Sequence, residues 1–203
     1  MWSAELLRAR FAMAELPWQP EPLEERFFKD RDPADAAVLV PLVQRTEGLQ
    51  VLLTMRTAHL NDHAGQISFP GGRCEPEDGH PVETALRETV EETGLAREFI
   101  EVLGTMPVYQ TATNFLVTPV VALVQPGFTL APDEFEVEEV FEVPLSFLMN
   151  ADNHQQRSLQ TPMGQRTFYA MPYECPVRQK NYFIWGATAA MLRNLYHFLN
   201  AKA

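Results

Sequence analysis

Long apolar runs are missing from this sequence of 203 residues. No run approaches the roughly 18 apolar residues of a membrane-spanning helix, so no transmembrane segment is predicted. Residues 1–16 are partly apolar, but Glu5, Arg8 and Arg10 interrupt them. That pattern indicates a short amphipathic helix and not a secretory signal. We therefore expect a cytoplasmic protein.

Cysteine is also scarce. The two cysteines, Cys74 and Cys175, lie far apart, and neither belongs to a Cys-x-x-Cys or Cys/His pattern. Their number and spacing predict two reduced thiols and favour neither a disulfide nor a catalytic cysteine. The chain has five histidines, and no two of them are spaced like zinc ligands.

Basic residues are in the minority, with 16 Lys and Arg against 27 Asp and Glu and a net charge of -11. This balance argues against general binding to nucleic acid or to anionic membranes. The negative net charge would also repel an anionic ligand, so metal ions or nearby arginines must offset that repulsion. Arginine, which makes up most of the basic residues, binds phosphate groups in a bidentate manner.

The chain is long enough for one substantial hydrophobic core, with 46% hydrophobic residues. We expect a helical and irregular N-terminal extension over residues 1–34 and one domain over residues 35–203. Apolar runs that predict buried strands lie at residues 36–43, 49–55 and 115–124. Residues 184–199 carry apolar side chains at helical spacing. Together these patterns predict an α/β fold with a mixed sheet.

The densest chemical pattern lies at residues 87–95, which read RETVEETGL. Glu88, Glu91 and Glu92 are three or four residues apart, so in a helix they point to one side. Crowded like charges are unfavourable unless a cation lies among them, and their oxygens suit Mg²⁺ or Mn²⁺. A solvated acidic face is the common alternative. The Phe-Pro-Gly-Gly turn at residues 69–72 favours the metal site.

The rest of the helix follows an amphipathic pattern. Pro81 suits its first turn and Gly94 its C-cap. The predicted apolar face, opposite the three glutamates, consists of Val82, Ala85, Leu86, Thr89 and Val90.

This stretch resembles the signature of the Nudix hydrolases, G-x5-E-x7-R-E-U-x-E-E-x-G-U, in which U is a bulky aliphatic residue. Gly72 opens the match, Asp78 stands at the first Glu, and Arg87 comes one residue later than the pattern asks. Thr89 replaces the first aliphatic residue, and Leu95 supplies the last. The second half of the signature is almost complete, and the departures leave the three glutamates untouched.

The resemblance implies a Nudix-type α/β/α sandwich around a mixed β-sheet. It also implies that Glu88, Glu91 and Glu92 bind divalent ions, with a carbonyl at Gly71 as a further ligand. Such ions neutralise a diphosphate and lower the pKa of a bound water. Arg87 is expected to orient a neighbouring carboxylate. We assign catalytic roles to Arg87 and Glu91.

Residues 52–72, LLTMRTAHLNDHAGQISFPGG, narrow the resemblance. They are similar to LLTxR[SA]xxxRxxxGxxxFPGG, the motif of coenzyme A pyrophosphatases, except at Thr57 and Asn61. The branch implies hydrolysis of coenzyme A or acyl-CoA to 3′,5′-ADP and (acyl)phosphopantetheine, with Mg²⁺ or Mn²⁺ as cofactor. The residues assigned to substrate binding are Arg56, His63, Gly65 and Phe69.

Nudix enzymes usually take a further acid from a later loop or strand. Residues 133–139, DEFEVEE, are the dense acidic run after the helix. Glu139 is the first choice for this catalytic acid and Glu136 the second. A solvated acidic loop is the open alternative.

Two other functions stay open. One is hydrolysis of the pyrophosphate bond of NADH, ADP-ribose or a nucleoside triphosphate. Asn61 leaves this open, because it replaces the second arginine of the coenzyme A motif and lacks a charge that could bind a phosphate. A non-catalytic nucleotide-binding regulator is the other, although a pure binder does not need Arg87 and the three glutamates. In each case we expect a small-molecule nucleotide partner and a monomer or homodimer.

Overall fold

A mixed β-sheet forms the centre of the computed structural model, which describes residues 2–13, 17–21, 32–58, 65–161 and 164–202. Within these ranges its eight strands are β1 (Ala34–Arg45), β2 (Gly48–Arg56), β3 (Ile67–Ser68), β4 (Gly71–Arg73), β5 (Ile100–Thr105), β6 (Tyr109–Gln110), β7 (Phe115–Val124) and β8 (Val137–Pro144). A second, antiparallel sheet contains β9 (Gln155–Thr161), β10 (Gly164–Cys175) and β11 (Lys180–Trp185). The α-helices are α1 (Ala4–Phe11), α2 (Pro81–Thr93), α3 (Leu145–Leu148) and α4 (Gly186–Asn200). None of the helices in the described ranges is long and apolar enough to cross a membrane.

The long apolar strands β1 and β7 occupy the middle of the first sheet. They pair in parallel, with Leu39 opposite Val120, whereas β1 and β2 pair antiparallel, with Leu42 opposite Val51. Strand β8 borders the far side of β2, and β5 borders the far side of β7. One parallel pair among antiparallel pairs makes the sheet mixed, which confirms the predicted fold class.

Helices cover both faces of this sheet. On one face, Ala85 and Leu86 of α2 pack against Leu39 and Val120. On the other face, α4 and the second sheet join a larger core. Leu7 of α1 is fully buried in that larger core, so the N-terminal helix shares the hydrophobic core of the sheet.

The C-terminal helix begins later than its apolar pattern predicts. The helix was expected to start at residue 184, but Ile184 and Trp185 complete β11 and α4 begins at Gly186. Gly186 has a φ of 63°, a left-handed conformation that interrupts the extended strand. Apolar spacing does not distinguish a buried strand end from a first helical turn.

Candidate active site

The acidic helix α2 begins at the predicted Pro81 and ends at the predicted Gly94 cap, and His80 supplies an N-cap that was not predicted. His80 precedes Pro81, and its Nδ1 accepts a hydrogen bond from the Val82 N–H at 3.2 Å. Gly94 has a φ of 70°, and its N–H donates to the Val90 carbonyl at 2.8 Å. Proline at the first position and a left-handed glycine after the last are favourable helix ends, so the bounds of the helix follow from local chemistry.

The buried face of α2 differs from the predicted one, because Thr84, Glu92 and Thr93 are also buried and Val90 is not. Val90 is 39% exposed, whereas Glu92 is only 7% exposed. Thr89 and Thr93 are fully buried, and each hydroxyl donates at 2.6 Å to the carbonyl four residues earlier. Because these hydroxyls are satisfied inside the helix, threonine is tolerated on the interior face.

Glu92 lies in the interior beside the glycine turn. The Gly71 N–H donates to its Oε2 at 3.2 Å, and Arg56 Nη1 lies 3.9 Å from its Oε1. Burial raises the pKa of Glu92 to about 8, and repulsion from Glu88 and Glu136 adds to this shift. The Gly71 N–H and Arg56 lower the pKa of Glu92, but they do not outweigh burial.

Glu88 packs directly onto the backbone of Gly72. A Cβ atom at Gly72 would lie 2.5 Å from Glu88 Oε1, so the glycine allows the carboxylate to approach the turn. Burial also raises the pKa of Glu88. Gly71 fits more tightly still, because a Cβ there would lie 2.4 Å from the Ala37 carbonyl oxygen in β1. The glycine pair thus places both carboxylates against β4.

Arg87 joins the carboxylates on the outer side of the helix. Its guanidinium donates to Glu88 Oε1 at 2.9 Å and to Glu91 Oε2 at 3.0 Å. It also binds both oxygens of Asp78, at 2.9 and 3.0 Å, and the pKa of Asp78 falls well below its usual range. Thr84 donates to Asp78 at 2.8 Å. Asp78 therefore anchors Arg87, despite the inserted residue and the shorter acid.

Among the described residues, no three Asp, Glu, His or Cys side chains converge in a ready-made metal site. Glu88 and Glu91 instead turn toward Arg87. The donor set nevertheless fits a divalent cation, because Glu92 is buried, Glu88 is partly buried, and burial raises the pKa of both carboxyl groups. A hard cation prefers such ligands and would relieve the cost of burying their charge.

The structure brings Glu136 to the carboxylates. Glu136 lines the same cleft as Glu88 and Glu92, in a loop that is hydrogen-bonded to α2 and to Thr57, the residue after β2. The Asp133 N–H donates to the Glu92 carbonyl at 3.1 Å. Thr57 makes two further hydrogen bonds to the loop. Its N–H donates to the Glu136 carbonyl at 3.0 Å, and its hydroxyl donates to the Phe135 carbonyl at 2.8 Å.

Glu139, the first choice from the sequence, lies elsewhere. It accepts hydrogen bonds from the Tyr182 hydroxyl at 2.7 Å and from Lys180 at 2.5 Å, and it pairs with Arg178. Although burial opposes the shift, these three donors lower the pKa of Glu139. It faces the second sheet and does not line the cleft of Glu88 and Glu92, because strand alternation sends its side chain to the other face of β8.

The residues assigned to substrate binding have different environments. Arg56 lines the cleft beside Glu92. Phe69 is 2% exposed and belongs mainly to the core, although it borders the cleft. Gly65 is exposed, and its N–H donates to the Arg56 carbonyl at 3.1 Å. His63 lies outside the described residues, as does Asn61.

The cleft itself has a volume of about 1070 Å³. Its wall includes Glu88, Glu92, Glu136 and Arg56 at the carboxylate end, and side chains of β9, β10, β11 and α4 elsewhere. Sequence reasoning did not identify this second wall. Its one available signal was the series of aromatic residues at 168–185, which also fits a buried core.

Comparisons with known proteins agree with this architecture. A sequence model of the NUDIX domain matches residues 33–161. A protein of Yersinia enterocolitica described as "Uncharacterized Nudix hydrolase NudL" is 38% identical over 165 residues, 81% of each chain. One from Shigella flexneri with the same description is 35% identical over 188 residues, 92% of this chain and 90% of that one. Among solved structures, the Nudix hydrolase RenU of M. smegmatis has a TM-score of 0.50 and 25% identity, over 57% of this chain and 73% of that chain.

Proposed function

Because this chain belongs to the Nudix hydrolase family, we propose that it hydrolyses the pyrophosphate bond of coenzyme A or acyl-CoA. The products would be 3′,5′-ADP and (acyl)phosphopantetheine. Nudix hydrolases cleave pyrophosphate linkages in small nucleotide substrates and generally use divalent metal ions. The motif at residues 52–72 supports the choice of coenzyme A within that class.

The observation that carries the proposal is a pair of carboxylates, the buried Glu92 and the partly buried Glu88, beside an arginine at one end of a large cleft. Glu88, Glu91, Glu92 and the Gly71 carbonyl would hold Mg²⁺ or Mn²⁺. Bound there, such an ion supplies neutralising charge and a water of lowered pKa. Arg56 lines the cleft 3.9 Å from Glu92, where its guanidinium would bind a phosphate of the substrate.

Arg87 and Glu136 complete the proposed machinery. Arg87 holds Glu88 and Glu91 in place while Asp78 anchors it from behind. Glu136 replaces Glu139 as the proposed further catalytic carboxylate and would act as a general base, because Glu136 lines the cleft with Glu88 and Glu92. A carboxylate there accepts a proton from the attacking water.

A substrate panel tests the reaction and its specificity. Purified protein with Mg²⁺ or Mn²⁺ is expected to convert coenzyme A to 3′,5′-ADP and phosphopantetheine, measured by mass spectrometry, and EDTA is expected to abolish this conversion. NADH, ADP-ribose and a nucleoside triphosphate serve as competing substrates. Faster cleavage of any of these would reject coenzyme A as the substrate and keep the Nudix chemistry. Binding without turnover would favour the non-catalytic regulator.

Two paired variants test the choice of catalytic acid. Glu136→Gln is expected to lower kcat by about 100-fold, since general-base catalysis typically contributes 10²–10⁴-fold. Glu139→Gln is the matched control, because its carboxylate binds Lys180, Tyr182 and Arg178 away from the cleft. It should change thermal stability more than kcat. A larger loss of kcat in Glu139→Gln than in Glu136→Gln would favour Glu139 as the catalytic residue.

A further inference from the structure

The cleft that contains Glu88 and Glu92 continues beyond them toward the second sheet. Its volume of about 1070 Å³ is at the upper end of the roughly 300–1,000 Å³ typical of small-molecule sites. Strand β3 connects the carboxylate end of the cleft with the end beside α4. The Thr188 hydroxyl of α4 donates to the Ile67 carbonyl at 3.0 Å, and the chain continues from Ile67 through Phe69 to the glycine turn.

The distal wall of the cleft has a group of apolar and aromatic side chains beside polar ones such as Gln156 and Arg166. Leu159, Phe168 and Trp185 line it, together with Ala187 and Met191 of α4, and we call these five residues the apolar arm. The register of the second sheet explains the arrangement. Leu159 lies opposite Arg166 and Trp185 opposite Ala170, so their side chains share one face with Phe168.

Aromatic residues of the apolar arm pack against each other, but the core does not cover all of the arm's surface. Phe168 and Trp185 pack edge to face with ring centroids 5.3 Å apart, and both are partly exposed. Leu159 is 56% exposed. Exposed apolar residues that continue from a polar site favour a ligand with an apolar part. The carboxylate end, with its divalent ion, would bind a charged diphosphate. The whole cleft therefore suits a molecule with a charged part and an apolar part.

We propose that the apolar arm binds the acyl chain of an acyl-CoA, so that the protein prefers acyl-CoA to free coenzyme A. This inference rests on the proposed function, because the diphosphate must lie at the carboxylates for its thioester chain to extend toward β9–β11. Each methylene that leaves water contributes about fourfold in affinity. A six-carbon chain that is partly buried is therefore expected to improve kcat/KM by about tenfold or more.

The test compares hexanoyl-CoA with coenzyme A in the wild type and in three variants. The ratio of kcat/KM values is expected to fall by about threefold in Leu159→Gln and about tenfold in Phe168→Ala, because both remove apolar contact area. Val177→Gln is the control. Val177 is 91% exposed, lies in the turn between β10 and β11, and does not line the cleft, so the ratio should stay at its wild-type value.

Several outcomes separate this inference from the proposed function. Efficient cleavage of coenzyme A with no gain for hexanoyl-CoA would overturn the apolar arm alone. An equal loss for both substrates in Phe168→Ala would overturn it too, and would place the adenine ring on the aromatic pair. Calorimetric dissociation constants in EDTA give a second readout that needs no turnover. Equal affinity for the two compounds would reject the inference.

Discussion

Replacing Glu92 with glutamine is expected to lower kcat/KM by about 1,000-fold, or about 4 kcal/mol of transition-state stabilisation. The amide keeps the shape of the side chain and removes the charge that would bind the divalent ion. Glu92 is 7% exposed, and Gly71 and Arg56 are its nearest polar partners. Few other groups would compensate for the lost ligand. Steady-state rates with saturating Mn²⁺ measure the effect.

The same variant is expected to be at least as stable as the wild type in EDTA. An ionised carboxylate is costly to bury without a full partner, and a neutral amide is less so. Thermal unfolding with and without Mn²⁺ is the control, and the wild type alone should gain stability from the metal. A variant with normal turnover would discredit the assignment of Glu92. One that is strongly destabilised in EDTA would mean that its carboxylate serves the fold.

Gly72→Ala is expected to lower kcat by about 100-fold, because displacement of a catalytic group by about 1 Å has effects of this size. The new Cβ would meet the Glu88 carboxylate at 2.5 Å. That contact is with the end of a flexible side chain, so Glu88 moves while the backbone stays. Activity should therefore fall with little loss of thermal stability.

Gly71→Ala is the matched control for this prediction. A Cβ at Gly71 would meet the backbone of Ala37 and Val38, at 2.4 and 2.6 Å, so this variant should lose stability as well as activity. A double-mutant cycle of Gly72→Ala with Glu88→Gln adds a direct readout. If the alanine acts through Glu88, the two losses are not additive. Fully additive losses would mean that Gly72 acts by another route.

The acidic helix was predictable because its determinants lie within a few residues of one another. Proline at the first position, glycine after the last and the helical spacing of Glu88, Glu91 and Glu92 all act locally. The predicted face still misplaced Val90 and Glu92. Spacing identifies one side of a helix, but the width of the buried stripe depends on which neighbours cover it.

The catalytic acid was harder to choose because Glu136 and Glu139 are three residues apart in one acidic run. Glu136 belongs to the loop that Thr57 holds, whereas Glu139 lies in β8 opposite Met55. The pairing of β2 with β8 shifts register between Met55 and Arg56. Which of the two glutamates reaches the cleft depends on where this irregular pairing ends and the loop begins, and no local pattern reports it.

Local sequence alone determined the helix with its caps, the glycine turn and the presence of the carboxylate cluster, since each depends on contacts within one segment. Only the tertiary structure decided that Glu92 is buried, that Asp78 anchors Arg87, and that β9–β11 extend the cleft with a partly apolar wall. These features join segments distant in sequence. Their burial and charge depend on strand register and layer packing, which side-chain spacing does not encode.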